Sequence, residues 1–261
     1  RGEWVTGGLE AVPYAFENAR MMREIYDLYP KPGKHVLPFA ILDPLREPAA
    51  QLKKLRELRE KYPFYGLKIQ ATIIKSDVLA LLKEGRGFLE FAAEFNLPFI
   101  IHSSVAPEDT WSQASDILKV AEATPNVRFC LAHSCRFDRE CLDRVAELPN
   151  TWFDCSAHRI HCECVGLGMP NVAPAARRFD ADYRDPTAVL RAMAETYPHK
   201  LIWGSDTPFQ SYVDDQYSLI STYKDELDCV HALPAALKPA VTQDNLLKLL
   251  QLKDESILTR A

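Results

Sequence analysis

The sequence predicts an α/β fold of the TIM-like (β/α)8 barrel type, and three observations carry that prediction. Short runs of β-branched and aromatic residues recur about every thirty residues, each followed by a longer segment with helical periodicity, which is the pattern of repeated βα units. The runs are almost continuously apolar rather than alternating, which marks parallel strands covered on both faces. No Gly-x-Gly-x-x-Gly or Gly-x-x-x-x-Gly-Lys loop follows any of them, and this disfavours the nucleotide-binding form of an open sheet.

Taken in order, the strand runs are 35–42 (HVLPFAIL), 64–71 (FYGLKIQA), 98–104 (PFIIHSS), 127–134 (VRFCLAHS), 151–158 (TWFDCSAH) and 201–208 (LIWGSDTP). Between them, 47–62, 78–95, 112–123 and 186–197 carry apolar residues at three- and four-residue spacing and read as outer helices. Residues 159–185 interrupt the rhythm with Pro, Gly and Arg, and are expected to form a long loop over the barrel mouth. A single domain over 1–261 is the expected organisation.

Composition narrows the function classes. With 36 acidic and 31 basic residues, the formal charge is −5, which gives no basic footprint for a phosphate backbone, so no nucleic-acid partner is expected. No apolar run approaches the roughly 20 residues that cross a bilayer, so no membrane partner is expected either. The seven cysteines are an odd number in a chain large enough not to need disulfide staples, and they read as thiols in a reducing, cytoplasmic setting. The chain opens with Arg1-Gly2-Glu3-Trp4, which shows neither a strand pattern nor a helix cap, so an upstream segment is expected.

The chemistry concentrates at strand ends. His102 closes Ile101-His102-Ser103, His133 closes Ala132-His133-Ser134, and Asp206 lies within Gly204-Ser205-Asp206-Thr207-Pro208. In a barrel all the carboxyl ends of the strands converge on one mouth, so these distant residues become neighbours. Imidazole and carboxylate are donor types that zinc and similar divalent ions accept, and such an ion activates water or polarises a substrate oxygen. Each residue alone also has a plainer reading: a hydrogen-bonded structural histidine, or an aspartate capping a turn.

Together with Ala40-Ile41-Leu42-Asp43-Pro44, Gly66-Leu67-Lys68, Phe153-Asp154-Cys155-Ser156, Trp203-Gly204-Ser205-Asp206-Thr207-Pro208-Phe209 and the closing Gln243-Asp244-Asn245-Leu246-Leu247-Lys248-Leu249-Leu250, these segments resemble the amidohydrolase superfamily. The branch they resemble is amidohydrolase-2, which holds metal-dependent hydrolases and decarboxylases. The resemblance implies that the visible strands are the third to the eighth, with the first one or two missing. It also implies that His102 is a metal ligand, that His133 orients the reactive water or substrate, and that Asp206 is both ligand and general base. One divalent ion, zinc foremost, is the implied cofactor. The His-x-His ligand pair of that family's first strand has no counterpart before His35.

Further residues are candidates for substrate contact. Lys68 shares strand parity with Gly66 and Gln70 and would point into the barrel; metal-bridging lysines of binuclear relatives offer one role, a buried cation on the substrate side another. Arg136 and Arg159, with Arg177 and Arg178, lie after the strands and offer planar guanidiniums to a carboxylate. Ser156 and His158 end the fifth visible strand, and His158, His161, Cys162 and Cys164 form a dense cluster. That cluster lacks the second ligand pair of a structural zinc site and reads as loop contacts to substrate. The expected function is hydrolysis of a small, carboxylated molecule; non-oxidative decarboxylation and a catalytically inactive binding barrel are the alternatives. A homodimer is the assembly considered.

Overall fold

Each apolar run forms a strand shorter than the run itself, because only its centre pairs with neighbours while its end turns into the next loop. The computed structural model describes residues 12–208 and 221–252; Phe209 and the opening Arg1-Gly2-Glu3-Trp4 lie outside them. The strands are β1 (Phe39–Ile41), β2 (Gly66–Ile69), β3 (Phe99–Ile101), β4 (Phe129–Leu131), β5 (Thr151–Asp154) and β6 (Leu201–Ile202). They form one sheet in the order β1-β2-β3-β4-β5-β6, every pairing parallel. Sequential order with parallel pairing is what repeated βα units produce.

The helices are α1 (Ala15–Arg23), α2 (Pro30–Gly33), α3 (Pro48–Lys61), α4 (Ala71–Ile74), α5 (Arg86–Glu94), α6 (Ala114–Ala123), α7 (Arg139–Glu147), α8 (His158–Gly166), α9 (Pro186–Thr196), α10 (Tyr223–His231) and α11 (Asn245–Leu250). Proline at the start of α3 and of α9 fits the first helical turn, where its missing N–H costs nothing. Thr222 and Asp225 close α10 with a reciprocal capping box. None of these helices is long and apolar enough to cross a membrane.

The core lies between sheet and helices. Phe99 and Phe129 occupy paired positions on β3 and β4, and their rings stack with centroids 5.6 Å apart. Phe88, Phe91, Leu118, Leu142, Val189 and Met193 bring the outer helices onto the same cluster. All seven cysteines are free and buried. The segment 159–185 departs from the expected loop: it begins inside α8, whose His158, Ile160, His161, Cys162 and Cys164 are buried. Helical periodicity is present there, but Pro and Gly in the following residues masked it.

Candidate active site

β3, β4 and β6 each end one or a few residues before a polar side chain, so the carboxyl edge of the sheet gathers His102, His133 and Asp206. All three line one cavity of about 480 Å³, together with Gln70, Asp109, Trp111, Arg136, Ile160, His161 and Asn171. The three residues brought forward by strand-end position therefore converge.

The loop after β4 holds an unusual backbone. His133, Ser134, Cys135, Arg136 and Phe137 all have positive φ, between 48° and 65°, and none is glycine. This is a short left-handed turn, which costs an L-residue roughly 1–2 kcal/mol per position. Tertiary bonds hold it in place. His133 N–H donates to Asp154 Oδ1 at 3.1 Å, Ala173 N–H donates to the Arg136 carbonyl at 2.9 Å, and Phe179 N–H donates to the Phe137 carbonyl at 2.8 Å. The turn sets His133 and Arg136, three residues apart, beside the same imidazole of His102.

Hydrogen bonding then fixes every tautomer in this group. A guanidinium only donates, so His102 Nε2, 3.2 Å from Arg136 Nη2, must accept. His102 carries its proton on Nδ1 and donates it to His133 Nε2 at 3.0 Å. His133 in turn carries its proton on Nδ1, which faces the Ser156 carbonyl at 3.1 Å and Ser156 Oγ at 3.0 Å. Arg136 Nη1 donates to His161 Nε2, and Nε donates to the Ser103 carbonyl at 2.9 Å. Ser156 Oγ donates to Asp154 Oδ1, so the carboxylate at the end of β5 anchors the base of the network.

Burial and positive neighbours keep the imidazoles neutral. His102 is held well below the ordinary imidazole range, first by burial and then by His133, Arg136 and Lys68. His133 and His161 are lowered for the same first reason, with Arg136 next. Burial lowers Arg136 to about 10. Asp206 moves the other way: burial, then the nearby Asp154, raise its carboxyl to about 6 against the pull of Lys68 and Arg136. Burial also lowers Lys68, whose charged neighbours are Asp154 and Asp206.

The remaining candidates divide by position. Lys68 acts electrostatically on Asp206 and both histidines without lining the cavity. Ser156 serves His133. His158 and Arg159 are not among the residues lining the cavity: His158 Nε2 bonds the Pro186 carbonyl at 2.8 Å, and Arg159 pairs with Glu163 and Asp225. Arg177 pairs with buried Asp138, and Arg178 donates to the Ala173 carbonyl. Asp109 spends its carboxylate on its own surroundings, accepting from Thr72 Oγ and Ser112 Oγ. Asp154 escaped notice as a site residue, although it ends a strand by the same rule that singled out His102.

Among the described residues, no group of three or more His, Cys, Asp or Glu side chains is arranged to hold a metal. His102 and Asp206 share the cavity, but the His102 Nε2 lone pair is already taken by Arg136. The other lining donors are engaged as well: His161 Nε2 accepts from Arg136, His133 Nε2 from His102, Cys164 Sγ from Asn171, and Asp109 from Thr72 and Ser112. That leaves Asp206 and Glu108, short of the three protein ligands of a catalytic zinc. As arranged, the described residues do not fit the ion.

Comparisons with known proteins agree on the fold. No curated protein matches the chain. An uncharacterized TIM-barrel protein from Bordetella bronchiseptica superposes with a TM-score of 0.60 at 11% identity, covering 92% of this chain and 72% of that one. A 5-carboxyvanillate decarboxylase from Novosphingobium aromaticivorans, with bound manganese and 3-methoxy-4-hydroxy-5-nitrobenzoic acid, gives 0.56 at 12% identity over 91% of this chain and 71% of its own. An amidohydrolase from Burkholderia multivorans with bound zinc gives 0.53 at 17% identity over 77% and 70%. These likenesses show the barrel architecture. Residues 3–252 match the amidohydrolase family Amidohydro_2, nearly the whole chain, and the protein belongs to that family.

Proposed function

We propose that this protein is a hydrolase acting on a small carboxylated molecule seated in the cavity at the carboxyl ends of the strands. The observation that carries the reading is the pairing, in one cavity, of buried Arg136 with Asp206, whose carboxyl titrates at about 6. Arg136 uses Nε and one N–H on each terminal nitrogen for Ser103, His161 and His102. One N–H on each terminal nitrogen is left for the two oxygens of a carboxylate. Trp111 and Ile160 offer apolar wall to the rest of the molecule. Gln70 Oε1 and Asn171 Oδ1 are buried lining atoms without a partner among the described residues, so they suit hydrogen-bond donors on the substrate.

Asp206 supplies the proton transfer. Above about pH 6 it is a carboxylate and takes a proton from water as the water oxygen bonds to the substrate carbonyl carbon. The same proton passes to the leaving nitrogen or oxygen as its bond to carbon breaks, and one water is consumed. His102 and His133, locked neutral, hold Arg136 and the cavity floor in place rather than exchanging protons. Zinc is the ion named for the Burkholderia relative; of the two ligands expected for it in this chain, His102 Nε2 is bonded to Arg136 and Asp206 alone is left.

Decarboxylation is the second reading, favoured by the aromatic-acid decarboxylase among the structural relatives. There, protonated Asp206 would deliver its proton to the ring carbon as carbon dioxide leaves. The two readings have opposite pH signatures. Base catalysis by Asp206 rises about tenfold per pH unit below pH 6 and then levels, whereas acid catalysis is flat below pH 6 and falls above it. The test is product analysis on a panel of carboxylated lactones, amides and aromatic acids, scoring ring opening or amine release against carbon dioxide. Asp206→Asn is expected to remove at least about 100-fold of the rate. No turnover of any panel member, with Asp206→Asn binding the same acids as the wild type, would leave a binding barrel instead.

A further inference from the structure

We infer that Arg136 is the resident cation of this cavity, occupying at His102 the place a divalent ion would take. The inference is independent of which reaction the cavity runs. It rests on three features that meet at one atom. First, the lone pair of His102 Nε2 is committed to Arg136 Nη2 at 3.2 Å. The other nitrogen is equally committed, since Nδ1 faces His133 Nε2 at 3.0 Å, so His102 has no second lone pair to offer a metal. A ring flip would exchange each nitrogen with a ring carbon, turning C–H to both Arg136 and His133 and losing both bonds.

Second, Arg136 has nowhere else to go. It is 8% exposed and sits on a left-handed turn whose backbone is fixed on both sides, by His133 N–H donating to Asp154 Oδ1 and by Ala173 N–H donating to the Arg136 carbonyl. Its Nε is held by the Ser103 carbonyl, and Nη1 by His161. Displacing Nη2 from His102 would leave a buried N–H without a partner. Third, Lys68 already adds another buried positive charge to the same electrostatic neighbourhood as His102 and Asp206. A doubly charged ion at His102 would therefore sit near two cations, with Asp206 and Glu108 the lining carboxylates left to offset it.

The test is zinc binding by the full chain, read by competition with a chromophoric chelator. Arg136→Met, which keeps much of the side-chain volume and removes the charge, is expected to bind zinc at least about tenfold more tightly than the wild type. Adding His102→Ala to that variant is expected to abolish the gain. Equal affinity of wild type and Arg136→Met, or a gain that survives His102→Ala, overturns the inference. Should Arg136→Met fail to fold, imidazole nitrogen NMR of the wild type decides. The His102 Nε2 resonance is expected to report an unprotonated, hydrogen-bonded nitrogen that one equivalent of zinc leaves unmoved. A shift of that resonance to a metal-bound position overturns it.

Discussion

Glu226 shows how far a single side chain can be moved by its surroundings. It is 2% exposed under α8, accepting from Arg159 N–H at 3.2 Å and Ser221 Oγ at 3.3 Å, yet burial outweighs these bonds and raises its carboxyl to about 7. The folded value lies above the ordinary 4.5, so the native state holds a proton that the unfolded chain has released. The protonated form is therefore most favourable below about pH 4.5, and stability drains away as pH rises to about 7. Glu226→Gln, which mimics the protonated acid, is expected to match the wild type near pH 4.5 and exceed it at pH 8 by on the order of 2 kcal/mol. Denaturant unfolding at several pH values measures this, and a difference that does not change with pH would contradict it. The same scale shows what the sequence made legible. His102, His133 and Asp206 were recognisable because each follows a run of apolar strand residues. The group of His158, His161, Cys162 and Cys164 was seen but not resolved, because it lies on a helix and not a loop. Helical spacing separates it: His161 and Cys164, three apart, line the cavity, while His158 and Cys162, four apart, meet each other away from it.

Among the elements, the left-handed turn after β4 was illegible. Positive φ is ordinarily announced by Gly or Asn, and His133-Ser134-Cys135-Arg136-Phe137 contains neither. Its cause is tertiary. Cys135 and Phe137 are fully buried, and Asp154, Ala173 and Phe179 bond the backbone from three other segments. Strain gathered where two cavity side chains are aimed is the usual place for it. Ser134, at φ 49° and ψ 37°, makes only a long 3.4 Å bond through its hydroxyl. Ser134→Gly should relieve the backbone more than it costs in chain entropy, a net gain of about 0.5–1 kcal/mol. Ser134→Val adds a branched Cβ in the same conformation and should lose about 2 kcal/mol or more. Urea unfolding of the two variants checks the pair; a stabilised valine or a destabilised glycine would mean the turn relaxes in solution. Three of the four outer helices, by contrast, were readable from periodicity alone, as α3, α6 and α9 lie within one or two residues of their expected limits, whereas 78–95 divides into a 3-10 turn, Val78–Leu82, and α5.

At the scale of the whole molecule, the βα rhythm made the parallel, sequentially ordered sheet legible, but not the two buried asparagines that bond the first and last of the described strands. Asn18 of α1 donates through Nδ2 to the Ile41 carbonyl at 2.7 Å and accepts from the Ile41 N–H at 2.8 Å, so one side-chain amide satisfies both main-chain groups of Ile41 on β1. Asn245, at the start of α11, donates to the Leu201 carbonyl on β6 at 2.9 Å and to the Pro198 carbonyl at 3.0 Å. A primary amide offers a donor and an acceptor in the geometry of a peptide group, and Asn18 uses both, whereas Asn245 uses its Nδ2 for two carbonyls. The consequence is sharpest at Asn18, which is 4% exposed and satisfies both polar groups of Ile41. Asn18→Leu keeps the packing volume and leaves the Ile41 N–H and carbonyl unbonded, with an expected loss of about 2–4 kcal/mol. Asn18→Asp retains the acceptor for the Ile41 N–H while setting a carboxylate against the carbonyl, so it should not recover the wild-type stability. Unfolding midpoints read this loss, and a leucine variant as stable as the wild type would show that the Ile41 polar groups find other partners.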